Sequence, residues 1–131
     1  MDEFNSSILT IPGIGYDMGA MILAEIGDLS KFNSPDKILA YAGLSPTTYQ
    51  SGYFDSSHSK MEKRGSKYLR YALFNATKYV CMWDPVFKEY LAKKRAEGKH
   101  YYVALSHAAK KLVRLIYALE KSHMPYNPKA I

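Results

Sequence analysis

YYVALSHAAKKLVRLIYALEK, residues 101–121, decides the fold, because Leu105, Ala108, Ala109, Leu112, Leu115, Ile116 and Leu119 recur at intervals of three and four. That spacing puts them on one stripe of an α-helix, and so wide a stripe needs other helices to cover it. Working back along the chain, Asp84-Pro85 supplies an N-cap followed by proline at the first helical position. It predicts a helix from Val86 to Glu97, closed by Gly98. Further back, Ser66 or Lys67 opens a long helix whose Leu69, Leu73, Ala76 and Val80 share a face, with Cys81 and Trp83 read as interior residues.

The N-terminal part is more broken. A short helix is expected over residues 3–10, with Phe4, Ile8 and Leu9 on one side. Ile11-Pro12-Gly13-Ile14-Gly15 interrupts it, since proline lacks the backbone donor and glycine tolerates positive φ. Asp17 is then a plausible N-cap for Met18 to Ile26, ended by Gly27, and Ser34-Pro35 opens a helix running to about Ala42. From Leu44 to Ser66 apolar residues are too sparse for a helical face, so a long irregular loop is expected, with a short hairpin around Gly52. The fold class is mainly α: about six helices, an N-terminal helix-hairpin-helix and that loop. The chain reads as one domain over 1–131, divided into a hairpin part (1–43), the loop (44–66) and a basic helical part (67–131).

Composition narrows the function classes. No apolar run approaches the roughly 20 residues that a bilayer span requires. The acidic start is unlike a signal peptide, and the single cysteine, Cys81, cannot form an internal disulfide. The expectation is a soluble intracellular domain. Net charge is +6, but residues 1–57 sum to −5 and residues 58–131 to +11. Clustered cations of that kind suit a polyanion, since they displace condensed counterions from phosphates; a merely solubilising surface is the alternative.

Three segments are candidates for chemistry. In Gly13 and Gly15 the hairpin could bring backbone amides to a phosphate at a helix N-terminus. It could equally be a tight turn that packs two helices, an alternative given weight by the nearby Asp17, Glu25 and Asp28. Lys60, Lys63, Arg64, Lys67 and Arg70 form the densest basic segment. Arg64, Lys67 and Arg70, three residues apart, could share a phosphate-binding helical face interleaved with Tyr68 and Tyr71. Gln50-Ser51-Gly52 taken alone is ordinary turn chemistry. The four histidines show no metal-ligand spacing, and no cluster of carboxylates suited to two-metal catalysis is evident.

The order of the pieces says more than any one of them. Ile11-Pro12-Gly13-Ile14-Gly15, Leu23-Ala24-Glu25-Ile26-Gly27-Asp28, Ala40-Tyr41-Ala42-Gly43-Leu44-Ser45-Pro46 and Tyr49-Gln50-Ser51-Gly52 follow one another. Lys63-Arg64-Gly65, Leu69-Arg70, Asp84-Pro85, Lys110-Lys111-Leu112 and Pro125-Tyr126 continue the series. The whole resembles the C-terminal domain of bacterial insertion-sequence transposases of the IS110/IS116/IS902 type.

The resemblance implies a DNA recombinase in which this domain supplies a serine nucleophile, matched here by Ser51. It also implies an N-terminal RuvC-like domain that holds Mg²⁺, an element-encoded guide RNA, and action as a homo-oligomer in the bacterial cytoplasm at the nucleoid. No RuvC-like domain is present in these residues, so the expectation is a fragment, remnant or truncated product that binds no metal of its own and is inactive alone. The rival expectation is a non-catalytic helix-hairpin-helix module that binds nucleic acid, and a third is a helical protein–protein module.

Overall fold

The computed structural model describes residues 6–27, 29–44 and 66–127. Among these the regular elements are all helical: α1 (Tyr16–Ile26), α2 (Pro35–Tyr41), α3 (Lys67–Trp83), α4 (Pro85–Ala96) and α5 (Tyr101–Ser122). Two 3₁₀ turns, Ser7–Thr10 and Leu29–Lys31, complete them. The mainly α expectation holds, with five α-helices and two 3₁₀ turns where about six helices were expected.

Helix α3 lies at the centre. Its apolar face packs on α1, α4 and α5, while α5 also meets α2 and the first 3₁₀ turn. Leu69, Leu73, Ala76 and Val80 are fully buried there, facing Leu105, Leu112 and Ile116 in a core that also takes in Ile8, Ile22, Ile38 and Phe87. Each aliphatic side chain removed from water contributes about 1.5–3 kcal/mol. The stripe of α5 is buried as its spacing predicts, with Leu115 only partly covered.

The caps explain where the helices begin. The Ser66 hydroxyl accepts from the Leu69 amide at 2.8 Å and donates to Glu25 Oε1 at 2.8 Å, so one buried serine caps α3 and ties it to α1. Asp84 Oδ2 accepts from the Phe87 amide at 3.0 Å, with Pro85 at the first position of α4, as the sequence indicates. Ser34 and Pro35 open α2 in the same way, although the Ser34 side chain makes no capping bond.

Three expectations are corrected. Of the helix expected over 3–10, the described part is a single 3₁₀ turn; Ser6 caps it and Pro12 follows too soon for a longer helix. The N-cap of α1 is Gly15, not Asp17. Ile14, the residue before that cap, is buried, and the helix starts two residues earlier, so Asp17 sits in the first turn where its charge still complements the helix dipole. Trp83 is 66% exposed, not interior. It is the last residue of α3, and the inward position at the α3–α4 corner belongs to Asp84. Helix α3 starts at Lys67, and Arg64 lies outside the described residues.

Candidate nucleic-acid interface

The turn between the first 3₁₀ turn and α1, where a helix-hairpin-helix was expected, sets its two glycines apart. Gly13 has φ +101°, and a Cβ there would lie 2.6 Å from the Tyr79 carbonyl oxygen and 2.7 Å from the Val80 nitrogen. Glycine is therefore needed at position 13 so that the hairpin can lie directly on the backbone of α3. Gly15 differs: a Cβ there would meet nothing within 4 Å, and the residue heads α1 without a side-chain cap. Beside it is a shallow recess of about 420 Å³ lined by Gly13, Gly15, Tyr16, Asp17, Met18 and Tyr79. The first-turn amides of α1 favour an anion at this end, whereas the Asp17 carboxylate opposes one.

The exposed face of α3 is the stronger feature. The helix carries Lys67, Arg70 and Lys78 and no Asp or Glu. Among the described residues no carboxylate pairs with any of these three cations. Tyr68, Tyr71, Tyr79 and Trp83 stand out between them, each about half exposed or more. Lys67 Nζ lies 5.7 Å from the centre of the Tyr68 ring. Cations alternating with open aromatic faces can bind a phosphate backbone and stack on unpaired bases.

Of the candidate DNA-binding residues, Lys67 and Arg70 are brought together on α3, and Gly13 and Gly15 lie towards its other end beside Tyr79. Lys60, Lys63, Arg64 and the candidate nucleophile Ser51 lie outside the described residues, as do the rest of the expected loop and the hairpin around Gly52. Sequence reasoning missed Lys78, Tyr79 and Trp83. The four-residue step from Tyr79 to Trp83, and the run Tyr71, Asn75, Lys78, could have revealed them as one continuing helical face.

Gly43 and Ser66, described residues on either side of segment 45–65, both lie beside the first turn of α3. Leu44 is buried and its amide donates to the Leu39 carbonyl at 2.8 Å. Just before it, Gly43 adopts φ +75° and comes so near Arg70 that a Cβ would lie 3.0 Å from Nη1. The chain returns at the buried Ser66, whose carbonyl accepts from the Arg70 amide at 3.3 Å.

A family model described as the Transposase IS116/IS110/IS902 family matches residues 5–92. The chain belongs to this family. Curated relatives agree. An uncharacterized protein of insertion element IS110 from Streptomyces coelicolor is 34% identical, over 87% of this chain and 28% of its own length. An uncharacterized protein of insertion element IS900 from Mycobacterium paratuberculosis is 32% identical, over 92% of this chain and 30% of its own. The pilin gene-inverting protein of Moraxella lacunata is 32% identical, over 97% of this chain and 40% of its own. The chain thus spans roughly a third of the length of the curated relatives it matches.

Among the described residues no three His, Cys, Asp or Glu side chains stand close enough to hold a metal ion. No helix among them is long and apolar enough to cross a membrane. Cys81 is buried, and burial followed by the nearby Asp84 carboxylate pushes its thiol up to about 11, which suits packing and not nucleophilic attack.

Proposed function

We propose that this chain is the DNA-engaging, serine-bearing domain of an insertion-sequence transposase, and that Ser51 is its nucleophile. The observation that supports this reading is that Gly43 and Ser66, which precede and follow in sequence the stretch that carries Ser51, both lie beside Arg70. A phosphate drawn to Arg70 and Lys67 would therefore lie near Gly43 and Ser66.

In the proposed step Ser51 Oγ attacks a backbone phosphorus. The Oγ–P bond forms as the bond to the departing sugar oxygen breaks, and the hydroxyl proton ends on that oxygen. Guanidinium and ammonium groups stabilise the charge that builds on the phosphate oxygens. The phosphoserine ester conserves the bond, so rejoining needs only the reverse attack by a sugar hydroxyl. Magnesium belongs, in this reading, to the RuvC-like domain that the resemblance implies, and guide RNA and a multimeric assembly come from the same source.

The test is Ser51→Ala in a full-length transposase carrying this domain, read as transposition and as a covalent protein–DNA adduct on a denaturing gel. Loss of both is expected, and normal transposition overturns the assignment. A Ser51-dependent adduct formed by this chain alone would overturn its dependence on a second domain. The basic and aromatic face of α3, which carries no Asp or Glu of its own, also favours a second reading, a binding module without chemistry. That reading predicts salt-sensitive DNA binding and a parent protein indifferent to Ser51→Ala.

A further inference from the structure

A second basic surface lies on α4 and α5. His107, Lys110 and Arg114 follow one another at steps of three and four along α5, a continuous line on its polar side. Across from it, α4 ends in Lys93, Lys94 and Arg95, and Lys99 follows in the connection. The two helices pack together, and cations from both converge on one ring: Lys94 Nζ lies 5.4 Å and Lys111 Nζ 5.1 Å from the centre of Tyr90.

Little negative charge answers them. Among the described residues the ion pairs of this surface run to Glu97, from Lys94 at 3.5 Å and from Lys99 at 3.7 Å. Like charges one helical turn apart are destabilising, so Lys110 and Arg114 are held together against their own repulsion. An approaching polyanion relieves that repulsion. The apolar face of α3 packs against both α4 and α5, so its exposed basic face points away from this one.

We propose that this α4–α5 surface, centred on Lys110 and Arg114 with Lys94 and Lys99, binds the backbone of duplex DNA independently of α3. The line from Lys110 to Arg114, at the centre of this surface, offers charge without open rings, and that is the reason for choosing a duplex. Between His107 and Lys121 the one aromatic side chain is Tyr117, half-buried, its hydroxyl donating to the Phe32 carbonyl at 3.2 Å and its ring under Lys121 Nζ. The exposed Tyr101 and Tyr102 stand at the start of α5, ahead of that line. Along the line itself unpaired bases would find no ring to stack on, whereas paired strands present phosphates. Two surfaces facing different ways would let one domain hold two stretches of nucleic acid.

His107 gives an internal reporter. Burial first, and then Lys110, Lys94 and Lys99, hold its imidazole below the usual histidine range, with Glu97 pulling slightly the other way. A docked phosphate backbone reverses that field, so duplex binding should raise the His107 titration midpoint, and binding should tighten as pH falls through it.

The experiment titrates the chain with a labelled duplex of arbitrary sequence at several salt concentrations, comparing wild type, Lys110→Ala/Arg114→Ala and Lys67→Ala/Arg70→Ala. The first double variant should lower the slope of log affinity against log salt by about 2. Arg114→Ala alone, at an exposed position, should lower it by about 1. An NMR titration should show the upward His107 shift in wild type and in the Lys67→Ala/Arg70→Ala variant alike. An unchanged slope in folded Arg114→Ala protein, a His107 midpoint that does not move, or tighter binding of an RNA duplex than of DNA overturns the proposal. Loss of binding only in the Lys67→Ala/Arg70→Ala variant would support the α3 interface and overturn this one.

Discussion

The phenol of Tyr126 donates a hydrogen bond to Asp84 Oδ2 at 3.0 Å, joining the end of the described chain to the corner between α3 and α4. Asp84 is 1% exposed, and the same oxygen caps α4 through the Phe87 amide. The Tyr126 amide in turn donates to Thr10 Oγ1 at 2.7 Å, and Thr10 Oγ1 donates to the Ser7 carbonyl. One tyrosine thus fastens the C-terminal segment to the first 3₁₀ turn and to the central helical corner. Tyr126→Phe removes the donor to a buried carboxylate and should cost about 1.5–3 kcal/mol in chemical denaturation. Asp84→Ala loses the cap as well and should cost more.

The same contact has a pH signature. Burial, and then the bond to Asp84 and its charge, push the Tyr126 phenol well above the usual tyrosine range. The folded state therefore holds this proton more tightly than the unfolded chain. Its contribution is fully present below about pH 10 and is lost as pH rises further, towards the folded value. Stability measured up the alkaline limb should fall more steeply in wild type than in Tyr126→Phe.

The hairpin glycines should part company on substitution. Gly13→Ala drives a Cβ into the backbone at Tyr79 and Val80 and asks alanine to hold φ +101°, so a loss of several kcal/mol, or failure to fold, is expected. Gly15→Ser meets open space at a position with extended backbone and supplies the missing cap of α1, so it should stabilise by a few tenths of a kcal/mol. Thermal melts of the two variants check both signs.

What could be read from sequence here was what depends on local periodicity. Leu69, Leu73, Ala76 and Val80, and the α5 stripe, announce their helices because spacing alone assigns a face, and Asp84-Pro85 announces a start because capping is local. Spacing could not show where a face stops being covered, which is why Trp83 was placed inside. Nor could it pair Asp84 with Tyr126, 42 residues apart in the chain. Gly13 was ambiguous by residue type, since a glycine needed for phosphate approach and one needed for helix packing look alike until Tyr79 is placed beside it. For the candidate site, Lys67 and Arg70 were legible as a helical face; Lys78 and Trp83 continue along α3, and it is their exposure that separates them from the buried residues of the same helix. Ser51 rests on the order of motifs.

Ser66 offers the last test because it joins two jobs in one hydroxyl. It accepts from the Leu69 amide and donates to Glu25, both at 2.8 Å, at the point where segment 45–65 rejoins the core. Ser66→Ala should lose the cap and the tie to α1 together, about 1–3 kcal/mol by denaturation. Ser66→Asp can still cap α3, but it sets a second carboxylate against Glu25 and should not restore stability at neutral pH. In the double variant Ser66→Asp/Glu25→Gln that repulsion is gone, and the amide can donate to the new carboxylate. Rescue there, beyond the sum of the two single changes, would show that Glu25 is coupled to the start of α3. Simple additivity would mean that the cap acts alone and that α1 contributes nothing to holding the first turn of α3.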